Sequence, residues 1–247
     1  MMLTGKITTT SHSLAKEMIG ILTIGRTQTL VEDFKTLLAS HVPNDIPVDT
    51  ICYSNSFRKN QDIHSYRAVF VVIDSPQAFV ETLALVENIR ADNHALLIFV
   101  AITGRGTYNK MKYYLAGADY CIKFGTLADE NSDVLSEFFN SAEWQKQHNL
   151  LLDPTRMCLI GDCKRLDVSF PEMKILEAFS GTKNQILSHD EIARIMGLNI
   201  NFYDPRALEK SISRLRGKIK GLYGTNAIQS IRGHGYRLIR GLISTAR

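Results

Sequence analysis

A helix followed by a hairpin is predicted for residues 204–239, and no other stretch of the chain restricts the fold as strongly. Asp204 suits the N-cap of a helix, and Pro205 suits the first helical position, where no hydrogen-bond donor is lost. Four apolar residues then recur at steps of four, three and four, which aligns them on one helical face: Leu208, Ile212, Leu215 and Ile219. We therefore expect a helix over 205–220 that packs this face on a core.

The opposite face of this helix is basic. It carries Arg206, Lys210, Ser213 and Arg214, without an acidic residue among them. A helix that is apolar on one side and basic on the other can rest on a domain core and enter a DNA major groove. A solvated surface helix has the same composition, so the helix alone leaves both interpretations open.

The segment after this helix is predicted to form a β-hairpin. Residues 227–232 are strand-like, Gly233-His234-Gly235 suits a tight turn, and residues 236–239 form the returning strand. Arg232 and Arg237 flank the turn, where their charges can hold DNA phosphates beside the groove. We predict base-edge contacts from Lys210, Ser211 and Arg214, and phosphate contacts from Arg206, Ser213, Arg216, Ser230, Arg232 and Arg237.

Helix and hairpin together resemble the winged-helix output domain of OmpR/PhoB-type response regulators. The resemblance rests on Ser213-Arg214-Leu215-Arg216, on the run from Ile231 to Leu238, and on the distance between the two. Upstream, short strands and two helices that begin at capping boxes, 169–172 and 188–191, extend it over residues 150–240. The resemblance implies a sequence-specific, DNA-binding regulator of transcription.

Charge is distributed unevenly between the two parts of the chain. Residues 1–150 contain 13 Lys and Arg against 16 Asp and Glu, whereas residues 151–247 contain 16 against 9. The basic excess therefore lies in the part with the predicted DNA-binding helix, as a nucleic-acid partner requires.

Apolar strands alternate with helices in the N-terminal part. Strands are predicted at 18–24, 48–53, 68–73, 95–102 and 120–123, and helices at 29–40, 79–90, 110–116 and 133–147. Such alternation predicts an α/β doubly wound domain with a five-stranded parallel sheet, followed by the winged helix-turn-helix domain. The resemblance to OmpR/PhoB-type regulators further implies a receiver-like sheet of flavodoxin-like order. We expect a polar N-terminal tail in residues 1–17, a receiver-like domain in 18–140, a linker in 141–149 and the winged-helix domain in 150–242.

The strand ends of this sheet resemble the phosphorylation site of response-regulator receiver domains. In that family an Asp after the third strand accepts the phosphoryl group, a Ser or Thr ends the fourth strand, and a Lys ends the fifth. Asp74, Thr103 and Lys123 match these positions, and Tyr120 matches the aromatic switch position.

One part of the family's site is absent, because Gly25 and Arg26 stand where an acidic pair holds the metal ion. Mg²⁺ binds through carboxylates and neutralises the charge that phosphoryl transfer brings together, so Asp74 alone is a poor metal site. Three roles for Asp74 stay open. It is a structural carboxylate paired with Lys123 or Arg26, a weak phosphoacceptor, or a solvated residue at a strand end.

A homodimer is expected through the receiver-like domain. In the resembled family, receivers pair through the fourth helix, the fifth strand and the fifth helix. The corresponding stretch carries cations followed by acids, which can pair across a two-fold axis around the apolar Tyr113: Lys110, Lys112, Asp119, Asp129, Glu130 and Asp133. Solvated charge is the alternative interpretation.

Several classes of protein are disfavoured by the sequence. No His and Cys spacing is typical of a metal site, and no glycine-rich phosphate loop occurs, so neither a metal, a cofactor nor an enzyme is expected. The apolar runs are too short to cross a membrane, and the N-terminus lacks the apolar core of a signal peptide. Four scattered cysteines do not form a secreted disulfide framework. We therefore expect a cytoplasmic protein.

The residues and the resemblance together predict a DNA-binding transcription regulator that acts without phosphorylation. The expected partners are double-stranded DNA, RNA polymerase, a second copy of the chain, and a sensor kinase or another regulatory protein. One alternative is a regulator that is still switched by phosphorylation of Asp74. The other is a signalling module that acts through protein contacts alone.

Overall fold

The computed structural model describes residues 18–23, 28–43, 46–52, 66–73, 78–102, 108–123, 129–141, 144, 150–161 and 164–246. These residues form two units with separate hydrophobic cores. We call them the receiver unit, which ends with Trp144, and the winged-helix unit, which begins at Leu150.

The receiver unit is built on a five-stranded parallel sheet with the order β2-β1-β3-β4-β5. This is the flavodoxin-like order that the resemblance to receiver domains implies. Its central strands are apolar on both faces because helices cover both sides of the sheet. The strands are β1 (Met18–Thr23), β2 (Val48–Cys52), β3 (Tyr66–Ile73), β4 (Leu97–Ile102) and β5 (Tyr120–Lys123).

The helices of the receiver unit are α1 (Gln28–Ala39), α2 (Phe79–Asp92), α3 (Lys110–Ala116) and α4 (Asp129–Asn140). The prediction for α4, 133–147, was wrong at both ends. Its first turn begins at Asp129, and this polar stretch has no apolar periodicity from which to predict a helix.

The end of α3 explains a glycine that the sequence predicts as a helix C-cap. Gly117 has φ +115°, a conformation that L-residues rarely adopt. A Cβ atom at this position would also lie 2.7 Å from Cγ of Arg90 on α2. Gly117 therefore lets α3 end against α2.

Trp144 lies in the predicted linker, yet it belongs to the receiver core. It is 2% exposed and packs against Phe138 and Phe139, with ring centroids 5.4 and 5.0 Å away. The guanidinium of Arg67 lies 4.0 Å from the centre of the tryptophan ring. The chain after α4 is thus anchored on the sheet at this residue.

The winged-helix unit begins with an antiparallel meander of three strands and continues with three helices and a hairpin. Its elements are β6 (Leu150–Asp153), β7 (Cys158–Gly161), β8 (Lys164–Asp167), α5 (Phe170–Gly181), β9 (Ile186–Ser188), α6 (His189–Ile195), α7 (Pro205–Tyr223), β10 (Ile228–Ile231), β11 (Gly235–Leu238) and β12 (Ile243–Thr245). The sequence did not predict β9 or β12. Strand β9 pairs with β11, and β12 runs parallel to β6, beyond the expected domain end at residue 242.

Candidate nucleic-acid interface

Helix α7 is held in place by its apolar face, as its periodicity predicts. Leu208, Ile212, Leu215 and Ile219 are each 0% exposed. Full burial of an aliphatic side chain stabilises a fold by about 1.5–3 kcal/mol. The carboxylate of Asp204 accepts a hydrogen bond from the backbone N–H of Arg206 at 2.9 Å and caps the helix. The orientation of α7 on the core is therefore fixed.

The opposite face of α7 presents its cations to solvent. Arg206, Lys210, Ser213 and Arg214 are all exposed. Three of these residues are separated by one helical turn each and span about 12 Å of helix axis, the rise of roughly three to four base pairs. Exposed Glu209 borders this face and interacts electrostatically with Tyr236.

Ser211 is less available than the sequence predicted. Its side chain is half-buried, and its hydroxyl donates to the carbonyl oxygen of Ala207 at 3.0 Å. This bond along the helix occupies the hydroxyl hydrogen and leaves only the oxygen lone pairs for a base edge.

Two of the predicted phosphate ligands lie together between α7 and the hairpin. Nη1 of Arg216 donates to Oγ of Ser230 at 3.2 Å, which joins the helix to β10. Ser230 and Arg232 are exposed, and Arg232 begins the turn of the hairpin. This hydrogen bond therefore joins the predicted phosphate ligands of α7 to those of the hairpin.

The two glycines of the hairpin turn are required for different reasons. Gly233 has φ +73°, which suits a residue without a Cβ atom. At Gly235 the reason is space, because a Cβ atom there would lie 2.1 Å from the carbonyl oxygen of Leu187 on β9. The Gly-His-Gly sequence thus permits both the turn and the pairing of β11 with β9.

Arg237 is the exception among the predicted phosphate ligands. It is 9% exposed, and its Nε and Nη2 donate to Oε1 of Gln229 at 3.0 and 2.5 Å. Its guanidinium lies 5.0 Å from the ring centre of Tyr114 and 4.8 Å from that of Tyr120, both in the receiver unit. Arg237 is therefore not accessible to a phosphate in this arrangement, and its predicted DNA contact stays untested.

The phosphorylation site can be compared with the structure only in part. Asp74, Thr103, Gly25 and Arg26 lie outside the described residues. Ile73 and Lys123 are both paired in register with Ile102, so β3, β4 and β5 end at one edge of the sheet. Tyr120 is half-buried and stacks on Phe99, with centroids 4.6 Å apart.

The predicted dimer residues divide into two groups. Lys110 and Lys112 are exposed, whereas Tyr113 is 0% exposed and Asp119 is 8% exposed. Tyr113 packs against Phe79 of α2, with ring centroids 5.2 Å apart. Both side chains are buried within the chain in this arrangement, so neither is accessible to a second copy here, and their place in a dimer interface stays a prediction. The structure does not describe the side chains of Asp129, Glu130 and Asp133.

Within the part of the chain that the structure describes, no group of three or more His, Cys, Asp or Glu residues could hold a metal ion. In the same residues, every helix is too short or too polar to cross a membrane.

The chain is similar to a family of transcription regulators and to several response regulators. Residues 164–238 match the family described as "Transcriptional regulatory protein, C terminal". The heme response regulator HssR of Staphylococcus epidermidis is 24% identical over 219 residues, which cover 85% of this chain and 96% of HssR.

Among solved structures, the chain is similar to the response regulator DrrB of Thermotoga maritima, described as an OmpR/PhoB homologue. The identity is 16%, the coverage is 90% of this chain and 98% of DrrB, and the TM-score is 0.38. The DNA-binding domain of the response regulator AdeR, solved in complex with an intercistronic region, is 21% identical over 37% of this chain and 95% of its own, with a TM-score of 0.33.

Residues 164–238 match a transcription-regulator family, and most of the chain aligns with a response regulator. The chain is thus similar to DNA-binding response regulators of the OmpR/PhoB type, with a receiver-like fold followed by a winged-helix domain.

Proposed function

We propose that this protein regulates transcription by sequence-specific binding to double-stranded DNA through α7 and the β10–β11 hairpin, without phosphorylation of its receiver unit. One observation supports the mode of DNA binding above all. Arg206, Lys210 and Arg214 are exposed along a helix whose opposite face is completely buried. A fixed helix with a free basic face suits entry into a major groove, where Arg and Lys read guanine edges.

The test compares wild-type protein with a variant that carries both Lys210→Ala and Arg214→Ala. Arg165→Ala is the matched control, because Arg165 is an exposed cation that lies on β8 and pairs with Asp167, not on the basic face of α7. A duplex selected by the wild type from a random-sequence library is titrated against a scrambled duplex at several salt concentrations. We expect the double variant to lose its preference for the selected duplex and the control to keep it. Equal binding of both duplexes by all three proteins would instead favour the module that acts through protein contacts.

The independence from phosphorylation is proposed from the residues after β1. Gly25 and Arg26 supply no carboxylate to a divalent cation, and Mg²⁺ is held in proteins chiefly by carboxylate oxygens. Without the cation, a phosphodonor and the Asp74 carboxylate repel each other. Incubation with acetyl phosphate and Mg²⁺ should leave Asp74 unmodified by mass spectrometry and DNA affinity unchanged. Modification of Asp74 together with a donor-dependent rise in affinity would overturn this part of the proposal.

A switch that uses Asp74 is the second candidate, and the strand register favours it. Strands β3, β4 and β5 end at one edge of the sheet with Ile73, Ile102 and Lys123, and Asp74 and Thr103 are the next residues in the sequence after Ile73 and Ile102. That layout is the one the resembled receiver domains use for phosphoryl transfer. The phosphodonor experiment above decides between the two candidates.

We propose the domain limits expected from the sequence, with two changes. The receiver unit extends to Trp144, and the winged-helix unit includes β12. We place the protein in the cytoplasm. RNA polymerase would be contacted from the promoter-bound winged-helix unit, and a sensor kinase or another regulatory protein would bind the receiver unit. The proposed homodimer forms through the receiver unit.

A further inference from the structure

The two units are joined by a short connection that begins and ends at a buried residue. Trp144, the last described residue of the receiver unit, is 2% exposed, and Leu150, the first residue of the winged-helix unit, is 1% exposed. Only residues 145–149 lie between them in the sequence, and we call these five residues the tether. The length of the tether is therefore set by how firmly its two ends are held.

The receiver end of the tether is held by hydrogen bonds as well as by packing. After α4, Oγ of Ser141 donates to the carbonyl oxygen of Phe138 at 2.6 Å and accepts from the backbone N–H of Trp144 at 3.2 Å. The guanidinium of Arg67 on β3 lies over the Trp144 ring, and its Nη2 donates to the Trp144 carbonyl oxygen. A large buried aromatic surface and a cation–π contact both stabilise this position. Arg67 thus holds the ring and the backbone of the same residue.

The other end of the tether is held by strand pairing. The backbone N–H of Leu150 donates to the carbonyl oxygen of Leu242 at 2.8 Å, and Leu150 pairs in register with Ile243 on β12. Its side chain lies over Gly161, where a Cβ atom would be 2.3 Å from Cδ2 of Leu150. Strand β12 and the space above Gly161 therefore fix the point at which the tether enters the winged-helix unit.

Two fixed ends limit how far the units can move apart. Six Cα–Cα steps lead from residue 144 to residue 150 and span about 21 Å when fully extended. If Trp144 left the core, the connection would begin after Asn140, the last residue of α4, and its ten steps would span about 36 Å. The anchored Trp144 thus shortens the reach of the winged-helix unit by about 15 Å.

This reach matters when two paired chains bind one DNA duplex. Half-sites on the same side of the duplex are one helical turn, about 34 Å, or a multiple of it apart. One extra turn requires the two tethers together to extend by about 34 Å, which is most of their combined length of about 42 Å. A shift of half a turn moves one half-site to the opposite side of the duplex, so a tether must also pass around the DNA. A short tether therefore permits few spacings.

We propose that Arg67 and Trp144 determine which half-site spacings the protein accepts, because they fix the length of the tether. The anchored chain binds with both winged-helix units only where two half-sites are close together and in helical phase. This inference rests on the proposed function, since it requires a receiver dimer that binds DNA. It adds a determinant of target choice that lies in the receiver unit and not in α7 or the hairpin.

The experiment uses the full chain and two changes that lengthen the connection in different ways. Arg67→Ala removes the cation that holds Trp144, whereas an insertion of six Gly and Ser residues after residue 148 leaves the anchor intact. Arg165→Ala is the control, because it removes an exposed cation that pairs with Asp167 on β8, outside the anchor. Circular dichroism verifies that each variant is folded. Each protein is titrated against duplexes with two copies of the half-site from the selected duplex, spaced from about 10 to 31 base pairs in half-turn steps.

The expected result follows from the gain that linked binding gives. Simultaneous engagement of two sites strengthens binding by about 10²- to 10⁴-fold, and this gain is lost where the geometry forbids it. We expect wild type and Arg165→Ala to prefer the best in-phase spacing over its half-turn neighbours by roughly 100-fold. Both longer connections should reduce this preference to roughly 10-fold or less, with unchanged affinity for a duplex that carries one half-site. The fluorescence of Trp144, the single tryptophan, should shift to longer wavelength in Arg67→Ala but not in the insertion variant.

Three results would overturn the inference. If wild type binds all spacings equally, or the insertion variant keeps the wild-type preference, the length of the tether does not limit the spacing. If the insertion relaxes the preference and Arg67→Ala does not, the anchor does not set that length. If Arg67→Ala relaxes the preference without a change in Trp144 fluorescence, Arg67 acts by another route. The affinity for one half-site reports on DNA recognition alone, so its absence in wild type would count against the proposed function instead.

Discussion

The sequence predicted two exposed surfaces, the basic face of helix α7 and the α3–β5 face of the receiver unit, around Asp119 and Tyr120. The two differ in what determines the exposure of their side chains. On α7, Arg214 is exposed because its neighbour Leu215 points into the core, a consequence of helical geometry alone. On the α3–β5 face, Asp119 is buried because Arg90 and Arg240 converge on it from distant parts of the chain. Local periodicity therefore predicts the direction in which a side chain points, but not what the second unit covers.

The largest effect should come from removing the shared carboxylate. Asp119→Ala leaves Arg90 charged and without its acidic partner in a fully buried position, and breaking a buried pair in this way costs about 3–5 kcal/mol. Arg240→Ala should cost much less, because Asp119 retains Arg90. Urea unfolding followed by the fluorescence of Trp144, the chain's single tryptophan, reports on the receiver core in which it is buried. If both variants lost the same free energy of unfolding, the Arg90–Asp119 pair would not stabilise the receiver unit independently of Arg240.

The features that the sequence predicted correctly are those that depend on local patterns. The alternation of strands and helices predicted the parallel sheet, and the 4-3-4 spacing predicted the buried face of α7. Both patterns are local, since each depends on residues within one or two helical turns or strands. The Gly233-His234-Gly235 turn was predicted for the same reason.

The features that were missed depend on contacts between distant residues. Strands β9 and β12 have three residues each, too few for an alternating pattern, and they exist because β11 and β6 supply hydrogen-bonding edges. Trp144 in an otherwise polar segment gave no periodic signal. For Arg237, the basic hairpin indicated DNA, whereas the tyrosines that cover it belong to the other unit.

The next effect concerns the reading of bases by α7. Arg214→Ala should weaken binding to the selected duplex by about 1–3 kcal/mol and relax its preference at one or two base pairs. Arg206→Ala, at the start of the same helix, should weaken all duplexes alike. Selection from a random library followed by anisotropy titration measures both properties. If Arg214→Ala lowers affinity uniformly, Arg214 contacts phosphate and the assignment of roles along α7 is wrong.

The two arginines of the hairpin differ in exposure, because Arg232 is exposed and Arg237 is covered. Each phosphate contact contributes about −0.9 to the slope of log affinity against log salt. Exposed Arg232 should contribute to this slope, and Arg237 should not, because Gln229 and two tyrosine rings hold its guanidinium. Salt titrations of Arg232→Ala and Arg237→Ala test this directly. An equal change of slope in both variants would mean that Arg237 leaves the tyrosines when DNA binds.

The smallest effect tests a purely local determinant, the capping box that begins α6. Oγ of Ser188 accepts from the backbone N–H of Glu191 at 3.2 Å and donates to Oε2 of Glu191 at 2.7 Å. Loss of such a cap costs about 1 kcal/mol. Hydrogen bonds from the backbone and the side chain of Ser188 lower the pKa of Glu191. A carboxyl group whose pKa is lower in the folded state stabilises the fold above its unfolded pKa, about 4.3, and loses that contribution as the pH falls through the folded pKa.

Ser188→Ala should therefore cost about 1 kcal/mol at pH 7 and less at pH 3, because the part of the cost that depends on the Glu191 carboxylate is lost as the pH falls through its lowered pKa. Urea unfolding followed by far-ultraviolet circular dichroism measures both values, because the tryptophan signal reports on the other unit. Ser188→Asp is the matched control, since Asp also caps helices, although its charge lies near that of Glu191. A cost that is the same at both pH values would assign the stabilisation to the bond from the Glu191 N–H alone. A cost that instead grew toward pH 3 would contradict the direction of the pKa shift.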